Sequence, residues 1–275
     1  MNVKNFTRSA GCAAMITALL LGGCERDKTA AKKEILLLCG GSMRAPMESV
    51  VKHFNEHHSD IEVVSTYGGS GELMAQLQQT NKGDIYVCHD PFMEWGEQKG
   101  IIDRWTTVGY LDVVLAVPKG NPKNIHTFAD LAKPGLRLGL GDERYSTTGW
   151  IVKNMLEKVS YADSIRANVR METKGHQSRA TDVSLGSLDA TIIWNAVADL
   201  YKDKLDIIPL PKDKIDAVTS ATYKKSDLKK IKVTVGMTSY GKNKPHVKKF
   251  YEYVEKESPA VFAANGLTPL EGVAP

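Results

Sequence analysis

Apolar and polar positions in this chain switch repeatedly between two repeats. EILLLC (34–39) is an unbroken apolar run of strand length, and APMESVVKHFNEHH (45–58) brings its apolar residues back at helical spacing. IEVVST (61–66) is β-rich, GELMAQLQQT (71–80) is helical again, and DIYVC (84–88) is a short strand. MEWGEQKGII (93–102) predicts a helix closing at Gly100. This alternation predicts an α/β unit with a mostly parallel sheet, and the near-continuous apolar strands predict that both its faces are covered.

YLDVVLAVPKGNP (110–122) breaks the rhythm as one long apolar strand ending in Pro118, Gly120 and Pro122. A second alternation follows: FADLAKPG as a short helix, LRLGL as a strand, TTGWIVKNMLEKV as a helix, NVRMET as a strand, QSRATDVSLGSL as a helix and DATIIW as a strand, running to about IIPLP. KIKVTVGMTSYG (230–241) is a strong strand, and HVKKFYEYVEKESPAVFAANGL (246–267) is a closing helical segment. The reading is an α/β protein of two lobes, each a mostly parallel sheet flanked by helices, joined by two hinge strands. Residues 34–115 with 236–275 form the first lobe, and 116–235 form the second.

The N-terminus reads differently. Lys4 and Arg8 precede an apolar stretch too short to span a bilayer, and LGGC closes it at residues 21–24, the pattern of an export signal over 1–23. Its ending resembles a lipobox, which implies a lipid-modified Cys24 as the first mature residue and a membrane contact resting on that anchor alone. The charged, aperiodic residues 24–33 suit a solvated tether.

The formal charge is +4, and the first 23 residues carry two positive and no negative charges, so 252 residues at +2 remain. Lysines between Lys202 and Lys249 are interspersed with acids, which reads as a solvated face and not a nucleic-acid patch. Cys39 and Cys88 end two apolar strands. They either pair, if those strands are neighbours, or stay as buried free thiols, the favoured reading. No Cys or His cluster has zinc-ligand spacing, no cofactor is expected, and the chain is expected to be a monomer.

The candidate chemistry lies in the turns. YGGSGEL (67–73) places two glycines, Ser70 and Gly71 between a strand and a helix, and CGGSM (39–43) does the same with Gly40, Gly41 and Ser42. At such turns the first helical N–H groups point outward with partial positive charge, and glycine lets a ligand approach them. Each motif alone is weak, since Ser is a preferred N-cap. Together they lie where ligands bind in open α/β sheets. The second lobe offers an opposing set: Ser146, Thr147 and Thr148 in GDERYSTTGW, and His176 and Gln177 in KGHQS. Trp194 ends DATIIW, its indole N–H either donating into a cleft or its ring packing beneath it.

GGSM, YGGSGEL, KGDIYVCHD, EQKGII, VVLAVPKGNP, FADLAKPGLRLGLGD and ATIIWNAVAD together resemble the periplasmic molybdate-binding proteins, type II solute-binding proteins of ABC importers, over nearly all of the chain beyond residue 33. The resemblance implies capture of a tetrahedral oxyanion, molybdate or tungstate, between the lobes and delivery to a membrane permease, without catalysis. It implies hydroxyl donors at Ser42 and Ser70 and backbone donors from the 146–148 and 176–177 turns. Three departures stand out, the first being Glu143, Arg144 and Tyr145 in ERYSTTG, a turn where the family usually carries small residues. Trp194 occupies the place of a donating tyrosine, and Arg44 adds a charge beside Ser42.

Other anions on the same scaffold (sulfate, phosphate, a phosphonate or a small organic acid) are the strongest alternative. A ferric-ion site would need paired tyrosines, whereas Tyr110, Tyr145, Tyr223 and Tyr240 are scattered. An enzyme reading has only His89-Asp90 to offer, with Asp90 expected to cap the following helix.

Overall fold

A computed structural model describes residues 31–211 and 231–274. The export signal, Cys24, the tether up to residue 30 and Tyr223 lie outside the described residues. All but one of the described residues belong to one compact unit, Lys32–Pro275.

Its elements run β1 (Lys33–Gly40), α1 (Arg44–His57), β2 (Ile61–Gly68), α2 (Ser70–Thr80), β3 (Ile85–His89), α3 (Phe92–Gln98), β4 (Ile102–Leu111), β5 (Val113–Pro118) and β6 (Leu138–Gly141). They continue with α4 (Thr147–Leu156), α5 (Ala162–Asn168), β7 (Val169–Thr173), α6 (His176–Ser184), β8 (Ala190–Trp194), α7 (Asn195–Asp199), β9 (Leu205–Pro209), β10 (Ile231–Thr238) and α8 (Pro245–Ala264).

The strands form two five-stranded sheets, ordered β2-β1-β3-β10-β4 and β7-β6-β8-β5-β9. In each, a single strand runs against the other four: β10 is antiparallel to β3 and β4, and β5 is antiparallel to β8 and β9. Inner strands β3, β5 and β8 are buried along nearly their whole length, while edge strands β2, β7 and β9 alternate between half-buried and exposed positions. That is the pattern expected of central strands packed on both faces and edge strands with one wet face. On the first sheet, α1 and α8 cover one face, and Leu73, Met74 and Leu77 of α2 with Phe92 and Met93 of α3 cover the other.

The apolar run at 110–122 is not one strand. It divides at Asp112, with β4 in the first sheet and β5 in the second. A strand pairs within a single sheet, so the crossing falls at the residue between two ladders. Likewise β10 lies wholly in the first sheet from Ile231 onward. The first expected hinge strand is therefore two strands, one in each sheet, the second is a strand of the first sheet alone, and the changes of sheet precede residues 115 and 235. Asp112 itself is clasped: its N–H donates to Asn195 Oδ1 at 2.9 Å, Asn195 Nδ2 donates to the Gly266 carbonyl at 2.9 Å, and Thr268 Oγ1 donates to the Asp112 carboxylate.

The sheet register also settles the thiols. Cys39 faces Val87 across the β1–β3 ladder, so Cys88, one residue on, points to the opposite face. Cys39 packs with the α1 side and Cys88 with the α2–α3 side, and both are free and fully buried.

Candidate functional site

Four strand-to-helix turns meet at one cleft, two from each sheet, all at the carboxyl ends of mutually parallel strands. From the first sheet come Gly40, Gly41 and Ser42 after β1, and Gly68, Gly69, Ser70 and Gly71 around the start of α2. From the second come Arg144, Tyr145, Ser146 and Thr147 before and at the start of α4, and Lys174, Gly175, His176 and Gln177 around the start of α6. The cleft between them encloses about 1020 Å³.

The bareness of the first turns has a steric cause. A Cβ on Gly40 would lie 2.8 Å from Ser70 Oγ and 2.4 Å from Met43 Cε, so only glycine lets the β1 turn sit against the Ser70 hydroxyl. In the second lobe a Cβ on Gly149 would lie 2.5 Å from the Gly141 carbonyl oxygen, which is how α4 starts directly on the end of β6. Four N–H groups at each helix start have no acceptor within their own helix. Ser42 Oγ, Ser70 Oγ and Thr147 Oγ1 make no hydrogen bond to a described protein group. Ser146 Oγ lies 3.0 Å from Thr148 Oγ1.

Of the ten residues read from the sequence as ligand contacts, eight line this cleft: Gly41, Ser42, Ser70, Gly71, Ser146, Thr147, His176 and Gln177. Thr148 and Trp194 do not. Thr148 is fully buried, its hydroxyl turned toward Ser146 and the Arg179 guanidinium. Trp194 is 1% exposed, its ring 5.7 Å from the His89 ring and 5.6 Å from the His176 ring. The indole is thus a support under two imidazoles, the packing alternative of the sequence reading. Arg44 points away from the cleft, bonded to Glu48 at 2.8 Å and lying over Tyr67.

The two imidazoles are set in opposite senses. His89 Nδ1 is 2.8 Å from the Asp90 carbonyl, which only accepts, so this nitrogen carries the proton and Nε2 is an acceptor. His176 Nδ1 is 3.3 Å from Arg179 Nη2, which only donates, so Nδ1 accepts and Nε2 carries the proton. Burial pushes both rings below the ordinary histidine range, and the nearby Arg179 charge lowers His176 further. Both are neutral at pH 7.

Charges at the cleft rim are already matched. Lys174 Nζ of the second lobe donates to Glu72 Oε1 of the first at 2.8 Å, and Arg144 donates twice to Asp142, at 3.0 and 2.7 Å. Asp90 does not cap α3, whose N-cap is Pro91. Its carboxylate instead accepts the Lys232 N–H at 2.8 Å, tying the start of α3 to β10.

Sequence reasoning missed the apolar wall of Met74, Phe92, Trp95 and Trp150. Each falls at a helical position indistinguishable from core by spacing. It also missed Arg179, which lies in QSRATDVSL among helix-surface residues.

A protein named only as a binding protein in Haemophilus influenzae is 23% identical over 180 residues, 65% of this chain and 73% of that protein. Molybdate-binding protein ModA of Mycobacterium tuberculosis is 27% identical over 112 residues, 40% of this chain and 43% of its own length, so the match spans less than half of ModA. The periplasmic molybdate-binding protein of Azotobacter vinelandii superposes with a TM-score of 0.69 at 14% identity, over 86% of this chain and 100% of that one. The fold is shared more widely: the sulfate-binding protein SubI of M. tuberculosis gives 0.68, L-phospholactate-bound PEB3 gives 0.66 and iron-bound HitA of Pseudomonas aeruginosa gives 0.60, each at 13–18% identity. The fold therefore does not choose the ligand. The family model for bacterial extracellular solute-binding proteins matches residues 35–268, and the chain belongs to that family.

Proposed function

We propose that this protein captures a tetrahedral oxyanion, molybdate or tungstate, in the cleft and presents it to the membrane permease of an ABC importer. The observation that carries this reading is the set of cleft hydroxyls, Ser42, Ser70 and Thr147, that no described protein group satisfies, placed at helix starts from both lobes. Converging amide and hydroxyl dipoles replace the hydration shell of a small anion without a cation in direct contact. Ser42 and Ser70, with the Gly41 and Gly71 amides, hold it from the first lobe. Thr147, the amides of the 146–148 turn, Gln177 N–H and His176 Nε2–H hold it from the second. Contacts to both lobes favour the closed form, because only differential affinity shifts that equilibrium. The protein acts by binding, as a monomer anchored through a lipid on Cys24. Thr148 and Trp194 serve this site from beneath.

Calorimetry on the soluble form, residues 25–275, titrated with molybdate, tungstate, sulfate and phosphate, tests the reading. One group VI oxyanion binds with a Kd in the nanomolar to micromolar range, about −8 to −12 kcal/mol. No heat with any of the four sinks it.

A second reading has its own support. A cleft of about 1020 Å³ walled by Met74, Phe92, Trp95 and Trp150 is the size of sites for drug-sized ligands, not for four oxygens. An oxyanion bearing an organic part fits both the donors and the wall, and the fold is shared with phospholactate-bound PEB3. Heat with phosphorylated carboxylic acids and none with the inorganic ions favours it.

A further inference from the structure

Arg179 stands on α6, and its side chain is completely buried. Its guanidinium meets only neutral groups: the Thr173 carbonyl at 2.6 Å and hydroxyl at 3.3 Å, Thr191 Oγ1 at 3.3 Å, His176 Nδ1 at 3.3 Å, the Ile192 carbonyl at 3.4 Å and Thr148 Oγ1 at 3.5 Å. No carboxylate of the described residues pairs with it, whereas Arg137 in the same lobe binds Asp189 with both carboxylate oxygens engaged. Burial pulls its pKa down to about 10, which leaves it protonated at neutral pH. A buried charge without a counter-charge is expensive, and a fold keeps one where something else supplies the opposite sign.

The surroundings say where that sign comes from. Around the cleft, Glu72 is matched by Lys174 and Arg144 by Asp142, and both imidazoles are neutral. Among the described residues that line or back the cleft, Arg179 is the one cation with no acid beside it. It lies behind His176, a cleft residue, and Thr148, the neighbour of the cleft residues Ser146 and Thr147.

We infer that Arg179 is the positioning and charge-selecting residue of the cleft: without touching the ligand, it fixes His176 as a donor through Nε2 and supplies the positive charge that a dianion matches. The charge requirement deepens the oxyanion reading and rests on it. It names the ligand class as doubly charged, with a singly charged ion of the same shape bound more weakly.

Tungstate and perrhenate share the four-oxygen shape and differ in charge, so their affinity ratio reads charge alone. Calorimetry on residues 25–275 is run with both ions on the unchanged protein, on Arg179→Met and on Arg179→Lys, with circular dichroism confirming the fold. The unchanged protein prefers tungstate. Arg179→Met lowers that preference by about tenfold or more, the scale of one charge at close range in a partly buried site. Arg179→Lys, which keeps the charge and loses the planar fork, retains most of it. A folded Arg179→Met that weakens both ions equally overturns the inference and leaves Arg179 a packing residue. The same holds if a folded Arg179→Lys loses the tungstate preference of the unchanged protein, a comparison that also decides the matter should Arg179→Met fail to fold. Absence of binding by the unchanged protein is a different result: it removes the oxyanion reading and this inference with it.

Discussion

Glu72 and Lys174 belong to different lobes, and Lys174 Nζ lies 2.8 Å from Glu72 Oε1 across the mouth of the cleft. Glu72 also accepts the Gly69 N–H at 3.3 Å, so the carboxylate that closes the cleft is part of the turn that bears Ser70. Both side chains are about two-thirds exposed, at 63% and 66%. Salt screens such a pair, and a static contribution to stability is small. Its expected effect is on release: Lys174→Ala speeds ligand dissociation about two- to threefold at low salt, and the difference from the unchanged protein fades near 1 M salt. Stopped-flow dissociation at two salt concentrations reads this directly.

Ser70→Ala removes a hydroxyl that has no described protein partner, so its loss falls on the ligand and not on the fold. Affinity for the oxyanion drops by about 1–3 kcal/mol, roughly fivefold to 150-fold, while the melting temperature without ligand stays within about 2 °C. A change in melting temperature without a change in affinity would show that the hydroxyl serves the turn alone.

Trp194 lies under His89 and His176 and not on the cleft wall. Trp194→Phe keeps an aromatic support and leaves affinity within about threefold, whereas Trp194→Ala opens a cavity costing about 3–5 kcal/mol of stability. Calorimetry and urea unfolding on the two variants separate the roles, and a large affinity loss in Trp194→Phe would return the indole to the ligand shell.

Buried acid and buried imidazoles oppose one another as pH changes. Burial raises Asp90 to about 6 from 3.8, so the folded chain holds this proton more tightly than the unfolded one. The resulting stability is complete below about pH 4 and is lost as pH rises through 6, up to about 3 kcal/mol. His89 and His176 are depressed, so their contribution is present above the ordinary histidine range and is lost as pH falls below it toward their lowered folded values. Asp90→Asn removes the first slope and exposes the second. Its melting temperature rises from pH 5 to 7 more steeply than that of the unchanged chain, and parallel curves would refute the assignment.

Cys39 and Cys88 stay reduced even in an oxidising compartment, because the β1–β3 register sends them to opposite faces of one sheet. Residues 25–275 give two thiols per chain in denaturant without reductant. They give none in the native state, where burial raises Cys88 to about 12 and Cys39 well above its ordinary value.

Much of this architecture was legible. Central strands such as DIYVC and ATIIW are apolar on both faces, and glycine turns mark where helices start, so the lobes and the cleft turns follow from periodicity and steric need. The failures have physical causes. IDRWTTVGYL carries polar residues because β4 is an edge strand, so its alternation is weak and only its last residues, Tyr110 and Leu111, show as strand in the sequence. ADSIRAN, α5, is too short to show a helical repeat. Asp112 looks like one more residue in a strand, since a change of sheet is made by long-range pairing that no local pattern contains. Asp90 was misplaced for the same reason, its partner Lys232 being distant in sequence, and nothing local chose between the two places open to Trp194, which His89 and His176 decide.

The place of β10 has a consequence for how the chain is assembled. It sits between β3 and β4, with Thr234 beside Cys88 although 146 residues separate them. The amino-terminal lobe therefore lacks an interior ladder until synthesis has passed residue 238, by which time every strand of its partner is already available to pair. A nascent polypeptide of this connectivity completes its later half first, and a product truncated before Ile231 leaves the long sides of β3 and β4 bare, an invitation to aggregation.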